Sequence, residues 1–214
     1  MARSSSLVPR LGSLALLLGA AACASAARGG PETGAFVTEL GTDTVTVERF
    51  TRTADRLEGD LLRIRNARPG PRIEHYVATL TPDGRVSRFD LSIRPVNPPP
   101  GGAPPRQFLY TVSFAADTAT ATLRRGDSTQ TWRIAGRGAL PAMYMSLALA
   151  ELGTRRLRAS GAESVTIPAL SVDDHPYPTT FARQGPDTVV MTTVYETGPT
   201  CGACGSTARG ASSA

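Results

Sequence analysis

From Ala35 to Arg94 the chain is built of short runs rich in Val, Thr, Ile, Phe and Tyr, in which apolar and polar side chains alternate and turn residues intervene. A period of two sends successive side chains to opposite faces of a strand, so such a chain must pair its runs into an antiparallel sheet with one face buried. Phe36–Leu40, the turn "GTD" at Gly41–Asp43 and "TVTVERF" at Thr44–Phe50 read as a first hairpin, followed by strands over Arg56–Arg65 and Ile73–Leu80. In "RIEHYVATL" Ile73 and His75 share one strand face, opposite Glu74 and Tyr76. "TPDG" at Thr81–Gly84 carries Pro and Gly at the second and fourth positions of a type I turn. The run Arg85–Arg94 then holds Val86, Phe89, Leu91 and Ile93 in one strand with a single slip of phase, the mark of a β-bulge.

"PVNPPPGGAPP", Pro95–Pro105, lacks the backbone donors of a sheet ladder and reads as a loop. Alternation resumes over Gln107–Phe114, Thr118–Arg125 and Ser128–Ala135, where Trp132 and Ile134 share the face expected to meet the core. A different period follows. "ALPAMYMSLALAELG", Ala139–Gly153, has Pro141 in its first turn, good helix formers throughout and Gly153 as a stop, and it is apolar nearly all round. A helix of that kind needs cover on most sides. Strands over Ser164–Leu170, Thr179–Gln184 and the run after Asp187 complete the pattern, with "SVDDHPYP" as a turn between the first two. The expected fold is mainly β: a curved, half-barrel-like antiparallel sheet, with one apolar helix packed on its concave side, in a single domain over residues 34–197.

The N-terminus sets the compartment. Arg3 and Arg10 precede the apolar run Leu11–Ala22, which is too short to span a bilayer and ends in small residues, the layout of a secretory signal peptide over residues 1–26. Cleavage after Ala26 or just before Cys23 are both open; in the second case Cys23 would carry lipid, since "AAAC" resembles a bacterial lipobox with Ala20 where Leu is usual. The expected location is therefore the periplasm, free or anchored at Cys23, with no other contact with a membrane. About 188 of the 214 residues remain after removal of the signal, enough for one core of ordinary size.

Export implies an oxidising compartment, yet the three cysteines staple nothing in the main body, because Cys201 and Cys204 lie in the tail. That tail, residues 198–214, has no Val, Leu, Ile or Met, and reads either as disordered or as the product of a shifted reading frame. GC-rich codons can be chosen for Thr200–Ala214 that, read two bases on, spell a strand, a turn and a strand. The C-x-x-C pair has no following helix to lower a thiol pKa and no second ligand pair to complete a zinc site. No cofactor or metal is expected.

The formal charge of +5 falls to +3 without the signal, and all 23 basic residues are Arg scattered among acids, so no stripe for nucleic acid forms. Asp173, Asp174 and His175 in "SVDDHPYP" are the catalytic alternative, a base with carboxylate partners, although residues so close in an extended turn rarely converge. No G-x-S-x-G elbow and no glycine-rich phosphate loop occurs.

The order of meander, Pro-rich insertion, three strands, an apolar helix in "RGALPAMYMSLALAELGTRR" and further strands, from Phe36 to Tyr195, resembles exported proteins of the LolA/LolB-like lipoprotein-carrier superfamily. The resemblance implies a curved antiparallel half-barrel whose helices cover an apolar cavity for acyl chains, and a non-catalytic binder of lipid or another apolar molecule. In this chain Met143, Tyr144, Met145, Leu147 and Leu149 are the candidate lining, flexible and aromatic groups suited to an adaptable pocket. An extracytoplasmic hydrolase using His175, or a structural lipoprotein without a ligand, are the alternatives.

Overall fold

The structure, a computed structural model, describes residues 30–64, 70–97, 108–172, 175–194 and, as backbone, 206–211. The signal segment, Cys23, most of the Pro-rich loop, Asp173, Asp174, Cys201 and Cys204 lie outside them.

Eight strands pair with their chain neighbours in one antiparallel sheet: β1 (Glu32–Leu40), β2 (Asp43–Arg52), β3 (Arg56–Arg63), β4 (Arg72–Leu80), β5 (Val86–Pro95), β6 (Phe108–Phe114), β7 (Thr118–Arg125) and β8 (Ser128–Ala135). The expected phase slip is a bulge. Thr79 pairs with Arg88 but Leu80 pairs with Val86, so Ser87 is the extra residue on β5. The turn before it closes as expected, with the Gly84 N–H donating to the Thr81 carbonyl at 2.8 Å.

After β8 come β9 (Leu140–Pro141), the helix α1 (Leu147–Ser160), β10 (Ser164–Leu170), β11 (Pro176–Arg183), β12 (Thr188–Thr193) and β13 (Ser206–Ala211). These strands form a second, curled sheet in the order β13-β12-β11-β10-β9, with β9 parallel to β10 and the remaining pairs antiparallel. The mainly β class with one helix against a curved sheet is thus the observed one.

The inner face of the large sheet supplies Leu57, Leu61, Tyr76, Phe89, Tyr110 and Val112, all almost fully buried. Ala148, Leu149, Leu152 and Leu157 of α1, with Ile167, Leu170 and Phe181 of the second sheet, close the same core from the other side. Each of the Leu, Ile, Val and Phe side chains among these contributes roughly 1.5–3 kcal/mol by leaving water. Trp132 and Ile134 do meet this core; the Trp132 ring lies 6.2 Å from that of Tyr110. The Tyr110 hydroxyl spans the two sheets, donating to the Ser171 carbonyl at 2.7 Å.

Several local expectations are corrected. The helix starts at Leu147 and ends at Ser160, not Ala139–Gly153. Leu140 and Pro141 pair as a strand instead, and Ser146 caps the helix, its Oγ accepting from the Leu149 N–H at 3.3 Å. Gly161, with φ of 68°, is the actual stop. The helix is therefore amphipathic, with the exposed Arg155 and Arg158 in its second half.

Gly153 lies mid-helix, because a methyl there would overlap the Phe181 ring, which packs directly on the helix backbone. Pro95 belongs to β5, opposite Arg72, and Pro176–Pro178 belong to β11. The prolines of β11 are tolerated because β12 pairs only from Thr179 onward, leaving one side of that stretch without a ladder. In the tail, Ser206–Ala211 add β13 to the sheet edge through backbone pairing, which asks nothing of side-chain size.

Two strands bury polar side chains beside apolar ones. On β2 the buried face carries Thr46, Glu48, Phe50 and Arg52, and on β4 it carries Glu74, Tyr76 and Ala78, while His75 is turned outward.

Candidate functional site

These buried polar groups converge where α1 begins. Tyr76 crosses its strand partner Gly59, whose lack of a side chain leaves room for the ring, and its hydroxyl donates to Glu48 Oε1 at 2.7 Å. The Ser146 hydroxyl donates to the same oxygen at 2.6 Å. The second oxygen, Oε2, accepts from the backbone N–H groups of Leu147 at 2.8 Å and Ala148 at 3.1 Å. Glu48 is 1% exposed. A carboxylate is stable there because four donors and the positive end of the helix dipole replace its water. Helix α1 has no acidic residue in its own first turn, so β2 supplies the missing charge. Burial, then the charge and hydrogen bond of Glu48, push the Tyr76 phenol well above its ordinary pKa.

Arg52, 5% exposed, joins the helix to the sheet edge, donating to Glu151 at 2.7 Å and to Glu32 at 3.3 Å. Glu74, 3% exposed, receives Arg63 at 3.1 Å and Arg72 at 2.7 Å. The same Arg63 nitrogen donates to the Tyr144 carbonyl at 3.0 Å, and its guanidinium sits 5.3 Å above the Tyr144 ring.

Beside this junction the start of α1 and the second sheet enclose an apolar cleft of about 530 Å³. That lies within the range of roughly 300–1,000 Å³ common for small-molecule sites. One wall is the segment Leu140–Ala150; the other is the face of β10, β11 and β12 that presents Ile167, Ala169, Phe181 and Met191. Met143, Tyr144, Met145, Leu147 and Leu149 all line it. Met143 and Leu149 are buried at its floor, whereas Tyr144 is 63% exposed. Met145 has φ of 69°, a left-handed backbone that costs a side-chain-bearing residue of order 1 kcal/mol. Among the described residues other than glycine it is alone in this. The reversal turns the chain from exposed Tyr144 to the buried cap at Ser146.

Polar groups in the lining are hydroxyls: Thr38, Ser146, Ser171, Tyr177, Thr179 and Thr193. Thr179 and Thr193 already bond each other across β11 and β12 at 3.0 Å. No carboxylate, guanidinium or imidazole lines the cleft among the described residues.

Of the catalytic alternative, His175 is exposed and does not line the cleft, and its proposed partners Asp173 and Asp174 lie outside the described residues. His75 sits on the outer face, its Nδ1 3.1 Å from Asp60 and its Nε2 3.7 Å from Glu58. Among the described residues no group of three His, Cys, Asp or Glu side chains could hold a metal ion, and no helix is long and apolar enough to cross a membrane.

Glu48, Tyr76 and the β10–β12 wall carry no sequence signal that singles them out. Ser146 does: a serine immediately before a run of helix formers is an N-cap pattern.

Fold and cleft together define a mainly β protein that holds an apolar space beneath a capped helix. Among solved structures, the chain is similar to the crystal structure of a DUF1089 family protein from Pseudomonas aeruginosa, with a TM-score of 0.52 and 13% sequence identity over 80% of this chain and 89% of that one. At that identity the likeness speaks of the fold alone. No family model matches the chain, and no curated protein does.

Proposed function

We propose that this chain is an exported envelope protein that binds a lipid or another apolar molecule in the cleft beside α1 without transforming it. The observation that supports the reading is the cleft of about 530 Å³ with an aliphatic, aromatic and thioether lining. A space of this size lined by Met, Leu, Ile and Phe is poorly hydrated, and filling it with hydrocarbon gains about 25 cal/mol per Å² of apolar surface removed from water. Met143, Met145 and Met191 add walls that adjust to the shape of an occupant. The signal-like N-terminus, with cleavage or lipidation at Cys23, accounts for delivery to the envelope.

The test is native mass spectrometry of the full chain recovered from cells that express it, together with titration by the uncharged dye Nile red. The expected result is a co-purifying apolar molecule, released on denaturation, that competes with the dye. A protein that carries nothing and takes up no dye overturns the reading.

A further inference from the structure

We infer that the cleft accepts only the uncharged form of an amphiphile, and that Glu48, seated in the N-terminus of α1, is what excludes anionic ligands. The inference rests on the proposed binding of an apolar molecule and goes beyond it by fixing the electrical character of the occupant.

A helix N-terminus bordering an apolar cavity is ordinarily the place where a carboxylate or phosphate would bind, through free N–H groups and the helix dipole. Here that place is taken. Leu147 and Ala148 give their N–H groups to Glu48 Oε2, and Ser146 gives its hydroxyl to Oε1. Two of the three residues that bear these donors, Ser146 and Leu147, line the cleft. An incoming anion therefore finds these donors already used, with the Glu48 carboxylate 2.6–3.1 Å behind them in a buried setting where like charges repel more strongly than in water.

Nor does the lining itself supply a cation. No Arg or His lines the cleft among the described residues. Of the guanidiniums nearest its wall, Arg52 is held by Glu151 and Glu32, and Arg63 by Glu74 and the Tyr144 carbonyl. What the lining does offer is hydroxyl groups on Thr38 and Ser171 and on the mutually bonded pair Thr179 and Thr193, groups that both donate and accept. Such groups satisfy an ester, an alcohol or an amide without a countercharge. An unpaired carboxylate brought into the same space would lose its hydration with nothing to replace it.

The experiment compares methyl oleate with oleate, which differ by one methyl group and one charge, by displacement of Nile red from the full chain at pH 9. Methyl oleate is expected to bind at least tenfold more tightly. Glu48→Gln, which removes the charge and keeps an acceptor oxygen, is expected to narrow that gap several-fold. Oleate binding as tightly as its ester, or an unchanged gap in folded Glu48→Gln, overturns the inference while leaving the binding of apolar molecules standing. If neither ligand nor dye binds, the parent reading falls and this one with it. Should Glu48→Gln fail to fold, oleate binding as tightly as its ester on the unaltered chain still overturns the inference.

Discussion

Ser146 and Glu48, 98 positions apart in the chain, are joined by a 2.6 Å hydrogen bond in which the serine hydroxyl donates to a carboxylate buried from water. The bond places the first turn of α1 on the inner face of β2, and so sets where the floor of the cleft lies. The first turn of α1 takes its position from this anchor, whereas Leu140 and Pro141 are held by β10.

Glu48→Ala leaves the Tyr76 and Ser146 hydroxyls and two helix N–H groups without their acceptor, so a loss of about 3–5 kcal/mol is expected. Ser146→Ala removes one donor and one cap, for about 1–2 kcal/mol. Urea denaturation should rank the two variants in that order. Equal effects would mean that Glu48 does not hold the helix start.

Gly153→Ala sets two effects against each other. Alanine gains about 1 kcal/mol in a helix interior, but its methyl must displace the Phe181 ring, which costs about 1–3 kcal/mol. A net loss is expected, recovered in part by pairing Gly153→Ala with Phe181→Leu. A rise in melting temperature for the single variant would show that the ring does not lie against the helix backbone.

The raised pKa of Tyr76 fixes the sign of an alkaline effect. The folded protein keeps its phenol proton where the unfolded chain, with a tyrosine pKa near ~10, has released it. The stability that this proton confers is complete below pH ~10 and falls above it, by up to ~1.4 kcal/mol per pH unit. Tyr76→Phe should lower stability at pH 7 by ~1–2 kcal/mol, because Glu48 loses a donor, and should also flatten the decline between pH 10 and 11.5. Denaturation curves across that interval check both effects, and a slope that persists in Tyr76→Phe would assign the alkaline loss to other groups.

Met191→Trp tests the cleft from the wall opposite the helix. Met191 lines the space and is only partly buried, so the larger ring can enter the cavity, with an expected change in stability within about 1.5 kcal/mol. Nile red affinity should fall at least tenfold. Undiminished dye binding in a folded Met191→Trp protein would place the dye elsewhere.

The meander was legible because each hairpin is local: alternation, turn residues and even the extra residue Ser87 are written in adjacent positions. The inner face of β2 was not. In "TVTVERF" the valines look like the core set, but a second bulge, where Thr38 pairs with Thr46 and Glu39 with Thr44, leaves Val45 over and allows Val45 and Thr46 both to be buried. The inward face then continues through Glu48, Phe50 and Arg52. A carboxylate is acceptable there only because donors arrive from Tyr76 and from the helix start, and no local pattern announces them.

The helix was placed too early for a related reason. Leu140–Met145 has the composition of a helix, yet Ala169 and Leu170 offer it a strand partner, and Ser146 provides the better cap. The Met and Leu side of the cleft stood out as an unusual apolar run. Its other wall comes from ordinary strands whose meeting with that run is tertiary.

The sequential order of the large sheet also bears on how the molecule assembles. Each of β1 to β8 finds its partner next along the chain, so hairpins can close one after another at little cost in loop entropy. Bringing Leu147 to Glu48 closes a far longer stretch and needs the sheet as its template. The cleft is then expected to close after the meander has formed, and a molecule that fills it would change the rate of that closing step without touching the earlier ones.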